Sequence, residues 1–173
     1  MDKKKQPAKK EIVGSGAGIS GNKQEADALQ MSERRLREVL ENSLDASYKR
    51  NLQTNAYEYL SPVFTRLTGY TPEEMNTWPL ETFLNLMHPG DLAEIIRTMT
   101  EAVSDSDDTT YQVDYRFKHK DGQNHWMHDQ FTVMRDSAGH AVALIGSVSD
   151  ISDRKKAEEG MRKSEEKYRL LAE

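Results

Sequence analysis

Cysteine is absent from the 173 residues of this sequence. Without it the chain has no disulfide, no thiolate nucleophile and no cysteine-based zinc site, and it cannot form the cysteinyl adduct of a photoactive flavin. The absence fits a reducing compartment, and we predict a cytoplasmic location.

An excess of positive charge is also missing. Lysine and arginine number 24 against 29 aspartates and glutamates, and the formal net charge is −5. Nucleic-acid-binding domains normally carry a clustered basic face. The charge balance therefore gives no electrostatic case for a nucleic-acid partner.

Long apolar runs are missing as well. The apolar run at 141–148 is far shorter than the roughly 20 residues that a membrane helix needs. The lysines near the N-terminus are not followed by an apolar segment, which argues against a signal peptide. We therefore predict no membrane contact by this chain.

The two ends of the chain differ from its middle. Residues 1–24 have almost no bulky apolar groups, which predicts a disordered tail or linker. Residues 25–45 place leucine and valine at helical spacing and predict an amphipathic helix. Residues 152–173 predict a charged C-terminal helix, whose stretch "SEEKYRLLAE" (164–173) is similar to "SERRLREVLE" (32–41). This similarity indicates that a second copy of the domain begins there.

Between these helices, residues 46–151 predict one α+β domain. Two short strands come first, followed by short helices that begin at Ser-Pro and Thr-Pro pairs, the second as a capping box. The period then changes to two, in three long strands joined by tight turns. This order predicts a five-stranded antiparallel sheet with short helices on one face, flanked by the N-terminal and C-terminal amphipathic helices.

Apolar side chains fall on both faces of the last two predicted strands. A sheet with one face in water should alternate cleanly, so we predict that the second face is covered. The stripe of Leu36, Leu40 and Leu44 is the natural cover. It would come from the same chain or from the partner in a homodimer.

Five motifs stand in a characteristic order: "YEYLSP" (57–62), "LTGYTPEE" (67–74), "HPGD" (88–91), "KDG" (120–122) with Trp126, and Gly146 before "DIS" (150–152). Together they resemble a PAS domain with its C-terminal PAC segment. Many relatives have Asn in place of Ser61 and Asp in place of Gly90. The resemblance implies a sensory or interaction module of a signal-transduction protein, such as a sensor histidine kinase, with adjacent PAS or output domains as partners.

The resemblance also implies a space between sheet and helices. The side chains around it either fill a core or enclose a pocket for a small organic ligand. The candidates are Tyr59, Leu67, Phe83, Ile95, Met99, Tyr115, Trp126 and Ile145. We further expect Trp126 to anchor the core, so that its removal would nearly unfold the domain.

No cofactor is required by the sequence. Haem-binding relatives place a ligand histidine on the long helix, and residues 91–105 contain none. His125 and His128 are three apart on a strand, point to opposite faces and cannot share an ion, so we predict no metal site. No catalytic group is evident, and we predict a non-catalytic domain. The alternatives are a dimerisation module without a ligand and, more remotely, a haem- or flavin-binding redox sensor.

The last strand passes almost directly into the C-terminal helix. Asp150 and Ser152 stand at this junction and can each bond backbone N–H groups of the first helical turn. We interpret the junction as the point where a change in the domain is passed to the next one. A plain helix cap is the alternative.

Overall fold

The structure, a computed structural model, describes residues 17–106 and 109–171, with side chains described from residue 23. The chain divides into two compact units, Met1–Glu38 and Val39–Glu173. Most of the predicted tail, residues 1–16, lies outside the described residues.

Helix α1 spans Ala17–Glu41, so it begins and ends earlier than the predicted residues 25–45. Helical hydrogen bonds are local and do not require apolar side chains, which is why the polar composition of residues 17–24 did not exclude a helix. Leu36 is 61% exposed and Leu44, beyond the end of α1, is 88% exposed. Leu40 is half-buried.

The second unit contains one five-stranded antiparallel sheet. Its strands are β1 (Ala46–Asn51), β2 (Tyr57–Leu60), β3 (Tyr111–Lys118), β4 (Asn124–Arg135) and β5 (Ala141–Asp150). They lie in the order β2-β1-β5-β4-β3, so the last strand occupies the centre. Four helices connect β2 to β3: α2 (Val63–Thr68), α3 (Pro72–Asn76), α4 (Leu80–Leu86) and α5 (Leu92–Ser104). Helix α6 (Ser152–Leu171) follows β5, and the α+β prediction is confirmed.

The helix starts follow local chemistry in one case and tertiary contacts in another. The capping box at α3 is present: Glu74 N donates to Thr71 Oγ1 at 3.2 Å, and Thr71 N donates to Glu74 Oε2 at 2.9 Å. Before α2, however, the side chain of Ser61 does not cap the helix. Its hydroxyl accepts from Ser47 N at 3.0 Å, because the completely buried Ser61 lies against β1.

The core lies between the inner face of the sheet and the helices. Ile95 of α5 is 2% exposed, while Met127, Phe131 and Leu144 of the central strands are each 1% exposed. Gly146 permits the close packing here, because a Cβ atom at this position would lie 2.8 Å from Phe131 Cβ and from Gln130 O. Among the described residues, no helix is both long and apolar enough to cross a membrane.

Candidate ligand cavity and signal junction

A cavity of ≈ 360 Å³ lies between the inner face of the sheet and the short helices. Its walls are mainly apolar and come from helices α2–α5 and from all five strands. The main apolar lining residues are Phe64, Met75, Phe83, Ile95, Met99, Phe117, Met127 and Leu144. A space of this size with such walls suits a small organic molecule.

Four predicted pocket residues line this cavity: Phe83, Ile95, Met99 and Tyr115. Their role in binding a ligand stays a prediction. Leu67 is instead a core residue of α2, and Tyr59 is a half-buried residue of the edge strand β2.

The prediction was wrong for Trp126 and Ile145. Successive side chains of a strand point to opposite faces. Met127 follows Trp126 and Leu144 precedes Ile145, and both Met127 and Leu144 line the cavity. Trp126 and Ile145 therefore lie on the outer face of the sheet. Ile145 is 42% exposed, and Trp126 is only half-buried, so Trp126 does not anchor the core.

Polar side chains from four strands lie in the otherwise apolar cavity. Tyr48 Oη donates to Asp129 Oδ1 at 3.1 Å and approaches Oδ2 at 3.3 Å. Burial raises the pKa of Asp129 to about 7, although this hydrogen bond acts in the opposite direction. Burial likewise raises the pKa of Tyr57 to about 12, against the opposing effect of Arg50, and the pKa of Tyr115 well above its ordinary value. The tyrosines are therefore neutral hydrogen-bonding groups.

Arg50 and Asp129 are not among the predicted pocket residues, although the sequence contains a signal for both. Asp129 stands between Met127 and Phe131 in the inward period of β4, and Arg50 shares the inward period of β1 with Tyr48. A charged residue at an inward position of a strand is uncommon and often functional. Both side chains line the cavity.

The junction between β5 and α6 is held by hydrogen bonds to β4. Asp150 Oδ1 accepts from Ser152 N at 2.7 Å, as predicted, and Asp150 Oδ2 lies 2.9 Å from His125 Nδ1. Ser152 differs from the prediction, since its Oγ accepts from Trp126 N at 2.9 Å. Ile151 N also donates to Trp126 O at 2.8 Å. These bonds fix the first residues of α6 to the sheet.

A second set of contacts holds the next residues of α6 on the outer face. Lys155 Nζ lies 2.8 Å from Asp114 Oδ2 and 5.0 Å from the centre of the Trp126 ring. Asp114 also pairs with His128 at 2.7 Å. Burial acts to raise the pKa of Asp114, but hydrogen bonds from Lys155 and His128 outweigh it and hold this pKa below its usual value.

The cavity and the base of α6 contact the same strands at adjacent residues. On β3, Tyr115 lines the cavity and its neighbour Asp114 binds Lys155. On β4, Met127 lines the cavity and its neighbour Trp126 binds the start of α6. The inner faces of these strands thus line the cavity, while their outer faces and the Trp126 backbone hold the base of α6.

The turn between β3 and β4 brings together His119, Asp121 and His125, whose possible ligand atoms lie within 4.8 Å of one another. The sequence analysis did not anticipate this group. The two imidazole rings stack with centres 4.7 Å apart and planes inclined by 26°. Asp121 N also donates to His119 Nδ1 at 3.1 Å, and this contact supports the turn.

The fold and the cavity define an α+β domain that encloses a small volume between an antiparallel sheet and a set of short helices. The model of the PAS fold family matches residues 57–148, which is just over half of the 173 residues. The chain belongs to the PAS fold family.

Solved structures agree with this assignment. A sensory box histidine kinase/response regulator from Burkholderia thailandensis is 28% identical, with a TM-score of 0.65 over 79% of this chain and 98% of that one. The N-terminal domain of a diguanylate cyclase with a PAS/PAC sensor, from Marinobacter aquaeolei, is 30% identical, with a TM-score of 0.56 over 64% and 98%.

Among curated proteins, the two-component sensor PprA of Pseudomonas aeruginosa is 24% identical over 171 residues, which cover 92% of this chain and 18% of that protein. A methyl sulfide methyltransferase-associated sensor of Methanosarcina acetivorans is 26% identical over 53% of this chain and 9% of that protein. The chain thus spans less than a fifth of these relatives.

Proposed function

We propose that this domain is a sensory module that takes a small organic ligand into its cavity and passes the resulting change to an adjacent domain through α6. The observation that carries the proposal is the alternation on β3 and β4, where Tyr115 and Met127 face the cavity while Asp114 and Trp126 hold α6. Relatives that are themselves sensors support this role.

The geometry suits transmission of small displacements. When volume is added to a packed core, the surrounding elements shift, because the core has few voids and a low compressibility. Five interactions tie the start of α6 to β3 and β4. They are two hydrogen bonds to the Trp126 backbone, the ion pairs of Asp114 with Lys155 and Arg154, and the Lys155–Trp126 ring contact. A shift of these strands must move α6 or break one of these interactions.

The domain arrangement of the parent protein is also part of the proposal. The similarity between 164–173 and 32–41 supports a tandem array in which α6 leads into a second PAS unit. A histidine kinase or a cyclase is the output that the similar structures suggest.

A homodimer is a further part of the proposal. On the outer face of the sheet, Met134 is 41% exposed and Ile145 is 42% exposed. Exposed apolar patches of this kind often mark protein contacts. A second copy of the chain, with its own α1 stripe of Leu36 and Leu40, offers an apolar surface to cover them.

Filling the cavity without a ligand tests the coupling. We expect Met99→Trp to change amide hydrogen exchange in the first two turns of α6 by about threefold or more, because the larger ring displaces β3 and β4. Val103→Trp is the control, since Val103 lies on the same helix, is 38% exposed and does not line the cavity.

Asp114→Asn completes the design by removing the charge that holds Lys155. In the double variant with Met99→Trp, the amide hydrogen exchange of α6 should differ little from that of Asp114→Asn alone. A folded Met99→Trp protein whose α6 exchanges like the wild type would contradict the proposed coupling.

A further inference from the structure

Arg50 is a buried cation that its surroundings leave incompletely paired. It is 8% exposed on β1 and lines the cavity. Its Nη2 donates to Asn55 Oδ1 at 3.1 Å, and its guanidinium lies 5.9 Å from the centre of the Tyr57 ring. Its Nε is buried without a hydrogen-bond partner, and within the described part of the chain no carboxylate forms an ion pair with it.

This arrangement is unfavourable for an empty cavity. An arginine side chain cannot lose its charge in a protein, and burying a charge without a counterion is strongly unfavourable. Asn55 and the Tyr57 ring compensate only part of that cost, since neither carries a negative charge. An anion in the cavity would supply the missing partner.

Asp129 does not require a counterion from a ligand in the same way. Its carboxylate accepts a hydrogen bond from Tyr48, and it lies among Tyr48, Tyr57 and Tyr115 from three other strands. Burial raises the pKa of Asp129 to about 7, so this group can become neutral by taking up a proton. The charge in the cavity that protonation cannot remove or neutralise is therefore the positive charge of Arg50.

The other walls of the cavity indicate the chemistry of the uncharged part of the ligand. Phe83 and Met99 line its apolar wall, which favours a hydrocarbon body. Leu80 of α4 and Ile96 of α5 also line the cavity while being 40% and 54% exposed. The cavity thus opens to solvent between α4 and α5, and this opening provides a path for entry.

We propose that the cavity binds a small apolar carboxylate, with the carboxylate on the guanidinium of Arg50 and the hydrocarbon along Phe83 and Met99. This proposal rests on the ligand-binding role proposed above and names the ligand class. The planar guanidinium suits it because two parallel N–H groups match the two carboxylate oxygens. Asn55, held in a left-handed conformation with φ 57°, accepts a hydrogen bond from Arg50 Nη2 and orients the guanidinium.

Three ring compounds of similar size test the charge directly: phenylacetate, its neutral isostere phenylacetamide and the cationic phenethylammonium. Each is titrated into the ¹⁵N-labelled full chain and followed by NMR, including the Arg50 Nε–H signal. We expect phenylacetate to bind at least about tenfold more tightly than phenylacetamide, and the Arg50 Nε–H signal to shift only with phenylacetate.

Arg50→Gln should weaken phenylacetate binding by at least about tenfold and leave phenylacetamide nearly unchanged. Arg50→Lys keeps the charge without the planar fork and should give an intermediate loss, and it serves as the test if the Gln variant does not fold. Lys49→Gln is a matched control at the adjacent position of β1, since it removes a positive charge and Lys49 does not line the cavity.

Three results would overturn the carboxylate inference. Equal binding of the amide would show that the cavity does not recognise the negative charge. Tighter binding of the ammonium would assign recognition to Asp129. Absence of binding by all three would show that the cavity does not take an apolar carboxylate of this size. The sensory role has a separate readout, because the Met99→Trp exchange experiment uses no ligand and can succeed where these titrations fail.

Discussion

At the scale of single residues, Asp129 shows how burial changes ionisation. Its folded-state pKa of about 7 lies above the ordinary value of 3.8, so the folded protein holds the proton more tightly than the unfolded chain. The stabilising effect of protonation is complete below the unfolded pKa and is lost as pH rises through about 7. A pKa difference of this size corresponds to about 4 kcal/mol.

The Asp129→Asn variant should therefore be more stable than the wild type at about pH 8 and should lose most of this advantage at about pH 5. The amide cannot ionise, although it accepts the Tyr48 hydrogen bond less strongly. Urea unfolding at both pH values measures the difference. Glu81→Gln, on the exposed surface of α4, is the control, and an Asp129→Asn difference that is independent of pH would contradict the raised pKa.

Trp126 and Phe131 allow a comparison of the two faces of one strand. Phe131 is 1% exposed, and Phe131→Ala should cost about 3–5 kcal/mol in the free energy of unfolding. Trp126 packs between the side chains of Arg116 and Lys155 on the outer face. Trp126→Ala should cost only about 1–2 kcal/mol but should increase hydrogen exchange at the start of α6. Equal destabilisation by the two substitutions would place Trp126 in the core after all.

At the scale of elements, Asp91 joins α5 to β3. Its carboxylate accepts from Arg116 Nε at 2.9 Å, Nη2 at 2.7 Å and backbone N at 2.9 Å. It forms no side-chain bond to its own helix. These hydrogen bonds, the guanidinium foremost, hold the pKa of Asp91 below its usual value.

Asp91→Asn should destabilise the domain by about 1.5–3 kcal/mol at neutral pH. Because the folded pKa is lowered, the contribution of Asp91 is present above the unfolded pKa and disappears as pH falls through the folded one. The gap between variant and wild type should therefore narrow in acid. Glu94→Gln, which breaks only an exposed pair with Arg97, should have a much smaller effect in the same denaturant titration.

At the scale of the whole molecule, the proposed homodimer has a direct test. Light scattering after size exclusion should give twice the chain mass of 19.8 kDa. Ile145→Glu and Leu40→Asp should each shift the chain towards the monomer, because a charge in an apolar contact is costly. Val103→Glu, at an exposed site of α5, should leave the mass unchanged. A wild-type monomer at high protein concentration would end the dimer proposal.

The sequence by itself determined the local features of this protein. Residue patterns at short separation specify the alternation of β3 and β4, the Thr71–Glu74 capping box and the helix stop at Gly69, whose φ is 79°. Such features depend on interactions between residues a few positions apart. The order of the motifs was sufficient to identify the family and the α+β class.

Only the tertiary structure decided which side chains meet across strands. It placed Trp126 and Ile145 on the outer face, directed Ser61 to β1 instead of its own helix, and joined Ser152 to Trp126. Shifting a strand by one residue reverses the face of every side chain, and apolar residues on both faces leave that choice open in the sequence. The cavity group of Arg50 and Asp129 depends on the same choice, because β1 and β4 are far apart in the chain and are brought together only by the central strand β5.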